Sequence, residues 1–261
     1  LRDTNATSSL VGLNVLVTRP THQAEFFCHS IEQLGGIAIR FPTIAIFPKE
    51  NPSSPNPLNS LNSFDYAIFI SANAVEQTFK RLDKNEFPTS LQCVAVGKKT
   101  AQVLNHHELS IAITPKTNYT SEALLAHPRM HSMQNKNVLI VRGEGGRELL
   151  AETLRKRGAI VKYAEVYRRC LPEYTDDQIR VLLKDNTISV ITITSAESLN
   201  NLITLFARID RKYLRDIPLI LGGNRILEAA HQLGFKQALV VANNPSDNAM
   251  LQALLEWARI H

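Results

Sequence analysis

Small polar residues and arginines recur in this chain just after short apolar runs and just before helical patterns. They are Thr18-Arg19, Ser71-Ala72-Asn73, Gly97 to Thr100, Arg142-Gly143 and Thr194-Ser195. Each apolar run reads as a strand of a parallel sheet, so these residues fall at strand carboxyl ends. In open α/β sheets that edge is where ligands bind. The backbone N–H groups of the helix starts that follow point outward there and suit anions. Carboxylates or phosphates are therefore the natural guests. Each residue also has a purely structural alternative. Ser71 and Ser195 could be helix caps, and Arg19 and Arg142 could pair with the nearby Glu25 and Glu148. Gly143-Glu144-Gly145-Gly146 is glycine-rich, but it lacks the G-x-G-x-x-G spacing of a dinucleotide loop. No nucleophile elbow, zinc spacing or Walker loop is present, and the histidines form no cluster.

The elements that position these residues are repeated. Residues 14–46 reappear without a gap at 137–169: Asn14 matches Asn137, Arg19 matches Arg142, Glu25 matches Glu148 and Gly35 matches Gly158. Such a shared register marks a duplication. Each copy reads strand, helix, glycine stop, strand: 14–18, about 20–34 and 37–41 in the first, 138–141, 148–157 and 160–163 in the second. A weaker pair lies between and after them, FDYAIFISANAVEQTFKRL at 64–82 and ISVITITSAESLNNLITLF at 188–206. After these come a strand, a glycine (Gly97, Gly222) and a helix in each copy, then short strands at 111–114 and 238–242. The chain thus reads A–B–A′–B′, with a ligand site expected in a cleft between two domains. Contiguous pairing, A with B, and crossed pairing, B with A′ inside a split A–B′ domain, both fit. FPTIAIFP (41–48) and AEVYRRCLP (164–172) are extended and end in proline, as connecting strands would.

Bulk properties narrow the classes. A chain of 261 residues, 44% hydrophobic and 20% charged, is long enough for two α/β domains. No apolar run approaches the roughly 20 residues of a membrane-spanning helix. The amino-terminal LRDTNATSSL is polar, reads as a frayed tail and has no signal-peptide core. Cys28, Cys93 and Cys170 are scattered, as buried thiols in a reducing cytoplasm would be. A net charge of +5 with pI near 9.2 permits an anionic ligand. Nothing resembles a nucleic-acid interface, because no dense Lys/Arg block or basic-aromatic interleaving occurs.

The motifs V-L-V-T-R-P, L-G-G, F-P-T-I, I-F-I-S-A-N-A-V, V-A-V-G-x-x-T-A, V-L-I-V-R-G-x-x-G-R, V-Y and T-S-A-x-S-L follow one another from about Gly12 to Trp257. In that order and spacing they resemble the uroporphyrinogen-III synthase family. The resemblance implies an α/β fold of two flavodoxin-like parallel-sheet domains joined by a two-stranded β connector, one domain being discontinuous. It places residues 1–41 with 173–261 in the split domain, 49–163 in the continuous one, and 42–48 with 164–172 in the connector. It implies a cofactor-free lyase reaction in which hydroxymethylbilane loses water and closes, with ring D inverted, to uroporphyrinogen III. Tyr167, of the V-Y motif, becomes the candidate acid. Thr100, Arg19, Ser71 and Ser195 map onto further cleft positions, and with Ala72, Asn73, Arg142 and Gly143 from the strand ends they are the candidate substrate contacts, with no metal ligands. It also implies a monomer in the cytoplasm, acting on a small molecule received from the upstream hydroxymethylbilane synthase, without nucleic-acid or membrane partners.

The chemistry implied agrees with the residues present. The substrate carries eight carboxylates, which suit helix N-termini and a moderately basic protein. Loss of its hydroxyl leaves a reactive azafulvene-type cation that closes unaided to the wrong isomer. The enzyme must mainly hold a conformation favouring attack at the substituted ring-D carbon, which is catalysis by orientation. One departure stands out. Where the family has a Gly-Pro-x-Thr-Ala turn, this chain has Gly222-Gly223-Asn224-Arg225-Ile226. Two other classes remain open, a non-catalytic tetrapyrrole-binding or regulatory module and a periplasmic-type small-molecule binder. The missing export signal weighs against the latter.

Overall fold

The computed structural model describes residues 9–49, 56–185, 188–207, 209, 214–237 and 239–260. Residues 1–8 of the amino-terminal tail and Ala238, the expected start of the last strand, lie outside the described residues; Leu10, read as the end of that tail, is buried in the core instead. The chain divides into two compact units, residues 1–45 with 170–261 and residues 46–169. It enters the second unit once and leaves it once.

The first unit contains β1 (Asn14–Val17), α1 (Thr21–Gln33), β2 (Ile37–Arg40), α6 (Asp176–Asp185), β9 (Val190–Ile193), α7 (Ala196–Phe206), β10 (Leu219–Leu221), α8 (Asn224–Gln232), β11 (Leu239–Val241) and the last helix, α9 (Asp247–Ala258). Its sheet has the order β11-β10-β9-β1-β2, and every pairing is parallel. Counted within the unit this is the flavodoxin-like order 2-1-3-4-5. The second unit contains β3 (Ala45–Pro48), β4 (Tyr66–Phe69), α2 (Ala72–Phe79), β5 (Gln92–Ala95), α3 (Lys98–His106), β6 (Ile111–Ile113), α4 (Ser121–Leu125), β7 (Asn137–Gly143), α5 (Leu149–Lys156) and β8 (Ile160–Cys170). Its sheet runs β3-β8-β7-β4-β5-β6. Without β3 this is the same spatial arrangement, with the repeat β7-α5-β8 in the place that β1-α1-β2 fills in the first unit.

The strands read as unbroken apolar runs because both sheet faces are covered. Val15 and Val17 of β1 join one core cluster while Leu16 joins the other. In β4, Ala67 and Phe69 pack on one face and Ile68 on the opposite face, all at 0% exposure. Burying a side chain the size of Phe69 or Ile68 contributes about 1.5–3 kcal/mol. Both repeat helices stop at a glycine in the left-handed region, Gly35 at φ 83° and Gly158 at φ 89°. At Gly158 a Cβ would also lie 2.3 Å from Gln134.

β8 differs from the sequence expectation. The sequence reads as a separate connector at 164–172, after a strand ending at 163. Instead β8 continues unbroken from Ile160 to Cys170. The reason lies in β7, which reaches Gly143 and so offers ladder partners as far as Tyr167. On its other side β8 neighbours β3, and the Lys49 amide donates to Val166 O at 3.0 Å.

Asp65 fixes the start of the β4–β7 pairing. Its carboxylate accepts from the Asn137 amide at 2.8 Å and from Lys136 Nζ at 2.9 Å. The Lys136 contact, then the amide, hold its pKa below the ordinary 3.8. A depressed carboxylate pKa stabilises the fold above the unfolded-state value and loses that effect as pH falls through the folded-state value. Asp65→Asn should therefore be less stable than the wild type at neutral pH, with the gap closing below about pH 4. Urea denaturation over a pH series measures it, and a gap that is constant with pH would assign the effect to something other than charge.

Candidate active site

In a sheet of this order the chain's connections change direction at one point, and ligands bind there outside the carboxyl ends. In the second unit the point lies between β7 and β4. The residues at those strand ends are Arg142-Gly143, the last two of β7 itself, and Ser71, which follows β4.

Ser71 has extended backbone, φ −155° and ψ 157°, and caps α2: its Oγ accepts from the Ala74 amide at 3.1 Å. The same Oγ lies 3.1 Å from the hydroxyl of Tyr167. Ala72 and Asn73 form the first turn of α2, with Asn73 buried. Thr100 is buried in the first turn of α3, whose cap is Gly97.

Tyr167 reaches Ser71 through a register shift. Arg142 pairs with Glu165, but Gly143 pairs with Tyr167, leaving Val166 as an extra residue on β8. In a regular strand Tyr167 would face away from Val166. The bulge turns it onto the same side, so that Ala164, Val166 and Tyr167 share one core cluster. Tyr167 is only 1% exposed. Its ring lies over Gly143, where a Cβ would be 2.6 Å from Cζ. The Glu144 amide donates to Tyr167 O at 2.8 Å, closing the turn.

A cavity of about 340 Å³ opens at this edge, with Tyr167, Arg142, the loop Gly143–Arg147, Ser121 and Arg169 among its walls. Arg142 does not enter it as a free cation. Its Nη1 donates to Glu148 Oε1 at 2.9 Å, its Nε lies 3.6 Å from Glu165, and its guanidinium stacks 4.3 Å from the Tyr163 ring centroid. Glu148 also accepts from the Tyr163 hydroxyl. That bond first, and Arg142 second, lower the Glu148 pKa, whereas burial and then Glu148 raise that of Tyr163. Burial alone would raise Glu165, but Lys49, the Gly145 amide and Arg142 outweigh it and the carboxylate stays low. Lys49 bridges Glu144 and Glu165, at 2.8 Å to each. The network ties Glu144 and the Gly145 amide of the glycine-rich loop to β8 and Lys49, and pairs Arg142 with two carboxylates. Arg147, at the end of the loop, is 73% exposed and pairs with Glu122.

In the first unit the equivalent reversal lies between β1 and β9. Ser195 follows β9 and caps α7, its Oγ accepting from the Ser198 amide at 3.0 Å. Arg19 follows β1 but does not pair with Glu25, which holds Arg40 instead. Arg19 pairs with Asp247 and donates to Pro245 O at 2.8 Å, with Phe27 beneath its guanidinium. Burial lowers its pKa to about 10. Below these residues lies a hydroxyl network that the motifs did not reveal. Thr18 Oγ1 and Thr43 Oγ1 lie 2.9 and 2.7 Å from Ser198 Oγ, and Thr18 Oγ1 donates to Thr192 O. At the departing turn, Gly223 caps the following helix with φ 151°, Gly222 packs against Pro245, and Arg225 is exposed. Among the described residues no group of three or more His, Cys, Asp or Glu is set to hold a metal ion.

The profile described as uroporphyrinogen-III synthase HemD matches residues 27–252. The chain belongs to the uroporphyrinogen-III synthase family. It is 30% identical to the uroporphyrinogen-III synthase of Escherichia coli K12 over 246 residues, 93% of this chain and 100% of that one. Its identity to the Salmonella typhimurium LT2 enzyme is 32% over the same shares of both chains. Among solved structures, uroporphyrinogen-III synthetase from Helicobacter pylori 26695 matches with a TM-score of 0.64 at 18% identity, covering 94% of this chain and 99% of that one. A mutant uroporphyrinogen III synthase from the extremely thermophilic bacterium Thermus thermophilus matches with a TM-score of 0.60 at 20% identity, covering 95% and 100%. These last two likenesses support the two-domain α/β fold. As a member of this synthase family the chain is a lyase of tetrapyrrole biosynthesis.

The contact between Gly143 and Tyr167 is a direct test of this geometry. Gly143→Ala should push the phenol ring off Ser71 and cost about 1–3 kcal/mol, as overpacking does. Thermal or urea denaturation measures the loss, and a crystal structure of the variant locates the ring. Unchanged stability with the ring in place would show that β8 has slack the wild-type packing does not suggest.

Proposed function

We propose that this chain converts hydroxymethylbilane to uroporphyrinogen III, losing water and inverting the terminal ring. Family membership across residues 27–252 supports the reaction. The observation that carries the assignment of residues is the Tyr167 hydroxyl, 3.1 Å from Ser71 at the reversal point of the sheet and in the wall of the cavity.

Tyr167 is the acid. A phenol donates a proton without bearing charge at neutral pH, and loss of the substrate hydroxyl needs such a donor. Substrate carboxylates meet the amides of Gly143 to Arg147, the first turns of α2 at Ala72 and Asn73 and of α3 at Thr100, and the exposed guanidinium of Arg147. In the first unit, Arg19 and the α7 start at Ser195 serve the same purpose. Arg142 organises the loop more than it binds. The chain works as a monomer in the cytoplasm, needs neither metal nor organic cofactor, and takes its short-lived substrate from the hydroxymethylbilane synthase.

Added to a hydroxymethylbilane-generating system with a chelator present, the protein should yield the type III isomer. Type I product alone, or a requirement for metal, would overturn the reading. Binding of the substrate without turnover would favour a regulatory module instead. Tyr167→Phe should keep the fold and lower kcat about 10- to 100-fold, since orientation supplies most of the effect and the acid a smaller share. Wild-type rates in that variant would make Tyr167 a packing residue.

A further inference from the structure

We propose that Ser71 is the positioning residue for Tyr167, donating a hydrogen bond to its phenol oxygen and acting on the reaction only through it. This rests on the reading of Tyr167 as the acid.

The hydrogen-bond inventory decides the direction. A serine hydroxyl has one proton to give and two lone pairs. One lone pair of Ser71 already receives the Ala74 amide, at 3.1 Å. The Tyr167 oxygen is 3.1 Å away. When Tyr167 directs its own proton at a leaving hydroxyl in the cavity, its oxygen can only accept from Ser71, and the Ser71 proton has that oxygen to go to. Tyr167 is in the cavity wall and Ser71 is not. Ser71 caps the start of the eight-residue α2, where the dipole favours negative charge. The bulge sets the direction in which Tyr167 leaves β8, and its ring packs against Gly143.

The step balances as follows. The substrate C–O bond breaks, its oxygen takes the Tyr167 proton, and water leaves. The phenolate so formed keeps the Ser71 hydrogen bond. On ring closure the terminal pyrrole releases the hydrogen of its free α-carbon as a proton, which restores the phenol. Ser71 gains nothing and loses nothing, so its contribution is to the charge that develops on the tyrosine oxygen.

The test uses Ser71→Gly, which removes the hydroxyl yet keeps nearly all the helix-cap stability, together with Ser71→Thr, Tyr167→Phe and the double variant. Ser71→Gly should lower kcat about three- to tenfold, the weight of one hydrogen bond, with KM within about twofold of the wild type. Ser71→Thr should restore the rate. In the Tyr167→Phe background Ser71→Gly should have no further effect on kcat. In resting protein labelled at tyrosine ¹³Cζ, the Tyr167 resonance should move in Ser71→Gly and return in Ser71→Thr. The same loss from Ser71→Gly in both backgrounds, or a raised KM with kcat intact, would make Ser71 a direct substrate contact and overturn the inference. A wild-type rate in Tyr167→Phe would instead remove the acid assignment. The resonance then still decides whether Ser71 orients the phenol: a shift supports the positioning contact and an unmoved signal ends it.

Discussion

One extra residue in β8, Val166, sets what stands at the carboxyl edge of the second sheet. A regular ladder would have turned Tyr167 toward the opposite face. The bulge places it over Gly143 and against Ser71, and the Glu144 amide locks the turn. The position of the glycine-rich loop follows, because the backbone of β7 ends where Tyr167 fills the space. Arg142, one residue earlier, is then aimed at Glu148, Glu165 and the Tyr163 ring. A strained or open-ended edge would leave the loop amides free to move. Here a tight steric contact and a set of paired charges hold them.

The two repeats hold their arginines in different ways. Arg19 and Arg142 hold matching positions in the two repeats, Arg19 just past β1 and Arg142 within the longer β7. Arg142 keeps the glutamate of its own repeat, Glu148, while the matching Glu25 has turned to Arg40. Arg19 has recruited Asp247 from the last helix and the carbonyl of Pro245. Ser71 and Ser195 both cap helices, but only Ser71 has a phenol within reach among the described residues. Shared ancestry kept the backbone edge and its helix starts. The side chains above that edge diverged with their surroundings.

Much of the fold was legible because its signals are local. Strands such as β1 and β4 are apolar throughout, since both faces are buried, and the two glycine stops are forced by positive φ. The serine caps could be read from a small polar residue ahead of a helical pattern, and Glu148 was a visible partner for Arg142. The contacts that assemble the candidate site were not legible. Ser71 and Tyr167 meet across 96 positions of sequence, and their meeting depends on a bulge that no residue type announces. The Arg19–Asp247 pair and the Thr18–Thr43–Ser198 hydroxyls join segments still farther apart. Motif resemblance could point to Tyr167, but not to its burial or to its being part of a continuous β8.

The division of the chain has a consequence for how the protein is made. β1 pairs with β9, whose register joins Val15 to Val190. During synthesis β1, α1 and β2 leave the ribosome long before their central partner exists. Residues 46–169, by contrast, contain every strand partner of the second sheet from Ile46 onward and can close as soon as β8 has emerged. The second unit is thus available to fold first, while the apolar β1–α1–β2 segment waits with one edge unpaired. Its exposure time is set by translation of the intervening domain, at about 5–20 residues per second. The price of a split domain is a nascent N-terminal strand that a chaperone has good reason to hold.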